Sequence, residues 1–181
     1  MTTDRERWLL ACFVAGHALA DSRLGHIYER VCLEDPLEYN EIPRPFSDGD
    51  VERSDSLLTR LAAGFGAIVF FDACAEDAAK LLAERDLEGI AELLERQRGQ
   101  RPSMPQTLAY ARELSSVFFE SAENRTAVEL IRNQLLEHGS LTLHEIDFLL
   151  DAADGDTEAL EDLQQYRARF SPTRIPWPDE S

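Results

Sequence analysis

The sequence predicts a mostly α-helical single domain of about seven helices, with a minor β element near residues 27–33. Three observations carry that expectation. Apolar residues recur at helical spacing, as in Leu87, Ile90 and Leu94. Stop and start signals bound these runs: Gly99 and Gly139 follow two of them, and Thr142 with Glu145 has the spacing of a capping box. With 181 residues and 44% apolar composition, the chain has the size and the hydrophobic content for one packed core.

The first helix is expected over 4–21, apolar-rich and capped by one of Thr2, Thr3 or Asp4, with Gly25 ending the region. Residues 27–33 come next, placing Ile27, Val31 and Leu33 at mostly even spacing among β-formers. Residues 34–50 carry Pro36, Pro43, Pro45, Asp48 and Gly49 and read as a loop. From 54 to 71 the apolar residues fall on all sides, as expected of a buried helix in which Gly64 and Gly66 permit close packing. Helices are expected at about 75–84 and 86–97, and Gly99–Pro105 links to helices at about 106–119 and 122–138. The Thr142 box opens the next helix, and Asp156 is expected to cap a last one carrying Leu160, Leu163, Tyr166 and Phe170. The domain is thus bounded at 1–170, and residues 171–181 form a tail in which Pro172, Pro176 and Pro178 forbid a helix and Trp177 sits between two prolines.

Charge narrows the function classes. Eighteen Lys and Arg stand against 35 Asp and Glu, a formal charge of −17, and Lys80 is the only lysine. Nucleic acids and anionic membranes are themselves negative, so neither is an expected partner; a protein partner is. Cys12, Cys32 and Cys74 are odd in number and form no CxxC pair, which fits reduced thiols in a cytoplasmic protein. Trp8–Ala15 is apolar and Ala18-Leu19-Ala20 mimics a signal-peptidase site. Asp4, Glu6 and the Gly16-His17 break argue against that reading, and the run is too short to span a bilayer.

Several chemistries lack their motifs. There is no GxxxxGK[ST] phosphate loop, and Gly64-x-Gly66 lacks the third glycine of a dinucleotide fold. His144-Glu145 has Phe148 where a zinc helix needs its second His. Asp151, Asp154 and Asp156 lack the central glycine and alternating ligands of a calcium loop.

The first helix is the informative one. Phe13-Val14-Ala15-Gly16-His17-Ala18 resembles the His-Glu-Ala-Gly-His-Ala helix of the FtsH-type zinc peptidases, with Phe13 and Val14 in place of the first His and the Glu. Leu61 to Ala79 looks like that family's segment of small residues and then an acidic residue heading a helix. Ala127 to Leu150 is similar to its closing helices, through Leu135-Leu136-Glu137, Leu141-Thr142 and Glu145-Ile146. The three segments occur in the family's order. The ATPase and membrane helices of those proteases are absent, and residues beyond about 155 are not covered.

The resemblance implies residual metal-ligand positions at His17 and Asp77, and predicts that these two approach one another. It also implies that Phe13 fills the third ligand's place and Val14 the general base's. Neither side chain can do that work: phenyl binds no zinc, and isopropyl takes no proton. Burying Phe13 instead favours folding by roughly 2 kcal/mol. Three readings are open. One is a peptidase-like domain without catalysis and without a cofactor, acting through protein contacts. Another is a zinc hydrolase with substituted ligands, His26 or His144 beside His17 and Asp77, and Glu76 or Glu145 as base. The last is an unrelated acidic helical interaction or regulatory module, whose charge suits a basic partner.

Overall fold

The computed structural model describes residues 3–25, 30–33 and 51–170, the side chains of 51–54 excepted. The first helix, α1 (Asp4–Arg23), starts at Thr3. The Thr3 hydroxyl accepts from the Glu6 amide, and the Glu6 carboxylate accepts from the Thr3 amide at 2.7 Å. Two amides that no helical carbonyl reaches are thereby satisfied.

Among the described residues seven further helices complete the chain, making eight rather than about seven. They are α2 (Val51–Phe71), α3 (Glu76–Leu82), α4 (Glu84–Arg98), α5 (Met104–Phe118), α6 (Ala122–His138), α7 (Leu143–Ala153) and α8 (Ala159–Phe170). Gly99 and Gly139 end α4 and α6 at φ 71° and 80°, a left-handed conformation that a side chain disfavours. Ser103 and Gln106 build a second capping box at α5, and Thr142 with Glu145 builds the expected one at α7. Asp156 does not cap the last helix directly. It accepts from the Glu158 amide at 2.9 Å in a turn, and α8 begins three residues later than Asp156.

The expected β element is present and has a partner. Of residues 27–33, β1 takes Arg30–Cys32; residues 26–29 lie outside those described, as do the loop at 34–50 and the tail. It pairs antiparallel with β2 (Ser140–Thr142), Val31 opposite Leu141. Three residues running from the Gly139 stop to the Thr142 cap, which is the last of them, are too few to show a period, so β2 left no pattern in the sequence.

The core has two lobes, and α1 serves both. Val14, Ala15, Ala18 and Leu19 pack with Val31, Ile131, Leu135, Leu141, Ile146 and Leu149. Leu9 and Cys12 pack with Leu58, Phe65 and Ile68 of α2 and with Leu87, Ile90 and Leu94 of α4. A helix covered on two faces must be apolar around most of its girth, which is how 4–21 reads. Each fully buried Leu or Ile contributes roughly 1.5–3 kcal/mol.

Glycines set how closely α1, α2 and α5 approach. A Cβ on Gly16 would collide with the Ala63 carbonyl and lie 2.8 Å from the Ala67 methyl; one on Gly66 would collide with Ser115 of α5. The close packing expected of Gly64 and Gly66 is therefore present, with Gly16 completing it from the other helix.

Glu145 closes the C-terminal lobe. Its carboxylate accepts from the Thr142 amide at 2.8 Å and from Arg167 Nε of α8 at 2.7 Å. Burial pushes this carboxyl up, but Thr142 and Arg167 together outweigh burial and hold it below its ordinary 4.5. A carboxyl lowered on folding adds stability above its unfolded pKa and loses it as pH falls through the folded one. Glu145→Gln keeps the capping geometry and loses the charge. It is expected to cost about 1–2 kcal/mol at neutral pH, with the gap to the parent narrowing below pH 4.5. Urea unfolding across that range measures it; a gap independent of pH would refute it.

Candidate functional site

The site grows from one turn of α1. Phe13 and His17 are four residues apart, so they stand one above the other on the same face. Their rings meet edge to face with centroids 4.6 Å apart. Room for the imidazole comes from α2: a Cβ on Gly64 would collide with the His17 ring and lie 2.8 Å from the Phe13 ring. Val14, beside Phe13, points into the other lobe and is 2% exposed.

The carboxylate that faces His17 is Asp86. His17 Nε2 and Asp86 Oδ2 are 3.0 Å apart, with both side chains under a tenth exposed. Asp86 lies in the first turn of α4, where the helix dipole favours a negative charge. It heads a buried row, with Ile90 and Leu94 at the next steps of four. One turn further along α1, buried Asp21 pairs with Arg60 of α2. Two polar pairs, His17–Asp86 and Asp21–Arg60, therefore lie between α1 and its neighbours α4 and α2.

The structure does not bring Asp77 to His17. The Asp77 side chain is 98% exposed and lies 3.2 Å from Lys80 Nζ on its own helix. The reason is facial: the row from Asp77 continues through exposed Leu81, whereas the row from Asp86 turns inward. Both residues stand at the head of a helix, but Asp86 lies beyond the Leu61–Ala79 segment that carries the resemblance. The two differ in the residues one and two turns downstream, which are apolar and buried only after Asp86.

The other candidates are engaged elsewhere. Glu76 holds Lys80 at 2.8 Å and also pairs with Arg112; those two cations keep its carboxyl below the ordinary 4.5. Glu145 is bound in its capping box and to Arg167. His144 is exposed and lies 3.9 Å from Asp147. His26 is outside the described residues. The Cys12 thiol is pushed up to about 12, chiefly by burial, so it stays protonated at neutral pH and is a poor nucleophile.

A catalytic zinc takes three protein ligands and a water. His17 and Asp86 supply two donors, already joined to one another, and a phenyl edge occupies the space beside them. Among the described residues, no three His, Cys, Asp or Glu side chains gather as a ligand set. The described residues around His17 do not fit a catalytic zinc. What the arrangement does is hold α1 to α4 through a buried hydrogen-bonded pair. Among the described residues, no helix is long and apolar enough to cross a membrane. Compared with known proteins, the chain matches no family model, no curated protein and no solved structure.

Proposed function

We propose that this chain is a peptidase-like helical domain of the cytoplasm that has no peptidase activity and works through protein contacts. The observation that carries the reading is the packing of Phe13 onto His17 at 4.6 Å, with Asp86 on the imidazole. In the FtsH-type zinc helix that α1 resembles, His would stand at 13 and the base at 14; here a ring and a buried valine stand there. The resemblance puts a third ligand at Asp77, which is exposed on α3; the carboxylate on His17 is Asp86 instead.

The purified protein is expected to carry near-zero zinc by elemental mass spectrometry and to leave an unfolded protein substrate uncut. About one zinc per chain together with cleavage would overturn the reading. A gain-of-metal variant tests its ancestry. Phe13→His puts an imidazole one helical turn from His17, on the face shared with Asp86. It is expected to bind about one zinc per chain, tightly enough to survive dialysis, and to lose it again when combined with Asp86→Ala. It stays inactive because Val14 provides no base. Failure of Phe13→His to bind zinc would remove the link to a zinc helix.

A further inference from the structure

The hairpin of α7 and α8 carries a row of four rings, two from each helix. His144 and Phe148 stand one turn apart on α7, and Tyr166 and Phe170 one turn apart on α8. Tyr166 joins them. Its ring centroid lies 6.0 Å from that of His144, 5.7 Å from Phe148 and 5.2 Å from Phe170. The contacts do not close the row off from water: the His144 side chain is 72% exposed and Phe170 66% exposed, with Phe148 and Tyr166 half-buried. Singly exposed apolar side chains are ordinary; rings in continuous contact across two helices make a surface.

The sequence that follows Phe170 suits such a surface. Residues 171–181 read Ser-Pro-Thr-Arg-Ile-Pro-Trp-Pro-Asp-Glu-Ser. Pro172, Pro176 and Pro178 bias the segment, and the residue before each of them, toward the extended polyproline helix. Proline-rich segments dock in grooves lined by aromatic rings, because their backbone is already extended and loses little entropy on binding. Trp177, between Pro176 and Pro178, is the largest apolar side chain of the segment. The tether decides which segment docks. The seven residues from Phe170 to Trp177 span about 22 Å when extended, and no ring of the row lies more than two ring contacts from Phe170. Attachment at Phe170 holds the segment near the row at about millimolar effective concentration, an advantage that a free segment lacks.

We infer that residues 171–181 dock on the chain's own aromatic row, with Trp177 and its flanking prolines against His144, Tyr166 and Phe170. The row is then a surface for a proline-rich strand that the chain covers itself, and any partner of the same chemistry must first displace the tail. Nothing in this docking depends on the His17 site, since α8 and the tail lie beyond the segments that resemble a zinc peptidase.

The test is fluorine NMR of the full chain labelled with 5-fluorotryptophan. Its two resonances belong to Trp8 and Trp177, told apart with Trp177→Phe. In the native protein the Trp177 resonance is expected to stand away from its position in concentrated urea, displaced by the rings it packs on. Phe170→Ser is expected to return it most of the way to the urea position. His144→Ser, at an exposed position on the other helix, is expected to return it part of the way without touching α8. Pro176→Ala with Pro178→Ala keeps the indole, loses the stiff backbone and is also expected to move it back. The Trp8 resonance stays in place in every variant and reports that the fold holds. A native Trp177 resonance already at the urea position overturns the proposal and leaves the row open to a partner's segment. So does a displacement that neither Phe170→Ser nor His144→Ser changes, which places Trp177 elsewhere. A displacement that fades on dilution also overturns it, because the tail then docks on a second copy. Zinc content and proteolysis do not enter this measurement, so it fails separately from the reading of the inactive site.

Discussion

Gly16→Ala is expected to destabilise the protein by about 2 kcal/mol, lowering Tm by roughly 4–8 °C for a chain of this length. The direction is not the one that helix propensity predicts, since alanine is favoured over glycine by about 1 kcal/mol in a helix interior. What decides is the obstacle. The new methyl meets the Ala63 carbonyl, which is backbone, and the Ala67 methyl at 2.8 Å, which has no other rotamer. Neither yields unless α1 and α2 separate, and separation loosens both lobes of the core, because α1 packs in each. Gly89→Ala is the matched control. Its methyl would meet only the tip of the Leu61 side chain, at 3.2 Å, and a side-chain tip moves. That substitution is expected to be neutral or to stabilise by up to about 1 kcal/mol. Urea unfolding of the two variants should give opposite signs; a common sign would show that the glycines do not set the helix approach.

Asp86→Ala is expected to cost about 3 kcal/mol. It removes the acceptor from His17 Nε2 in a place that water does not readily reach, leaving a polar nitrogen without its bond, and it adds a small cavity. Removing both partners is less harmful than removing one, because no orphan remains. His17→Leu combined with Asp86→Leu is therefore expected to be more stable than the sum of the single losses implies, by about 1–3 kcal/mol of coupling. Strict additivity in chemical unfolding would mean that the pair contributes nothing as a pair. The two-lobed core keeps the test readable, since Leu87, Ile90 and Leu94 continue to anchor α4 when its first turn is altered.

Helices are legible wherever a period of three to four residues runs for several turns between chemical boundary marks. The Thr142–Glu145 box and the Gly139 stop are there in the structure, because capping is a local exchange between a side chain and its own backbone. β2 is not legible, since its existence depends on Val31 lying opposite Leu141 across about a hundred residues of chain. The site is half legible. The helical spacing of Phe13 and His17 puts them on one face, and they are together. The family resemblance points to Asp77 for the carboxylate, but its row turns outward to Leu81, whereas Asp86 heads the row that carries Ile90 and Leu94. The face downstream of each acid separates the two, because only an apolar row carries its first residue into the core. Asp21 with Arg60 leaves no local trace, because an ion pair between two helices is written in tertiary structure alone.

The position of α1 between two lobes has a consequence for how the chain is made. α1 leaves the ribosome before the helices that cover it, and one of its faces is covered by α2 within a few tens of residues. The other waits for α6, about a hundred residues later. At 5–20 residues per second that is an interval on the order of 5–20 s in which Val14, Ala18 and Leu19 lack the cover that α6 and α7 give them. The nascent N-terminal half is thus a transient client for whatever binds apolar helices at the ribosome exit, and the negative charge of the chain is its own defence against self-association during that wait.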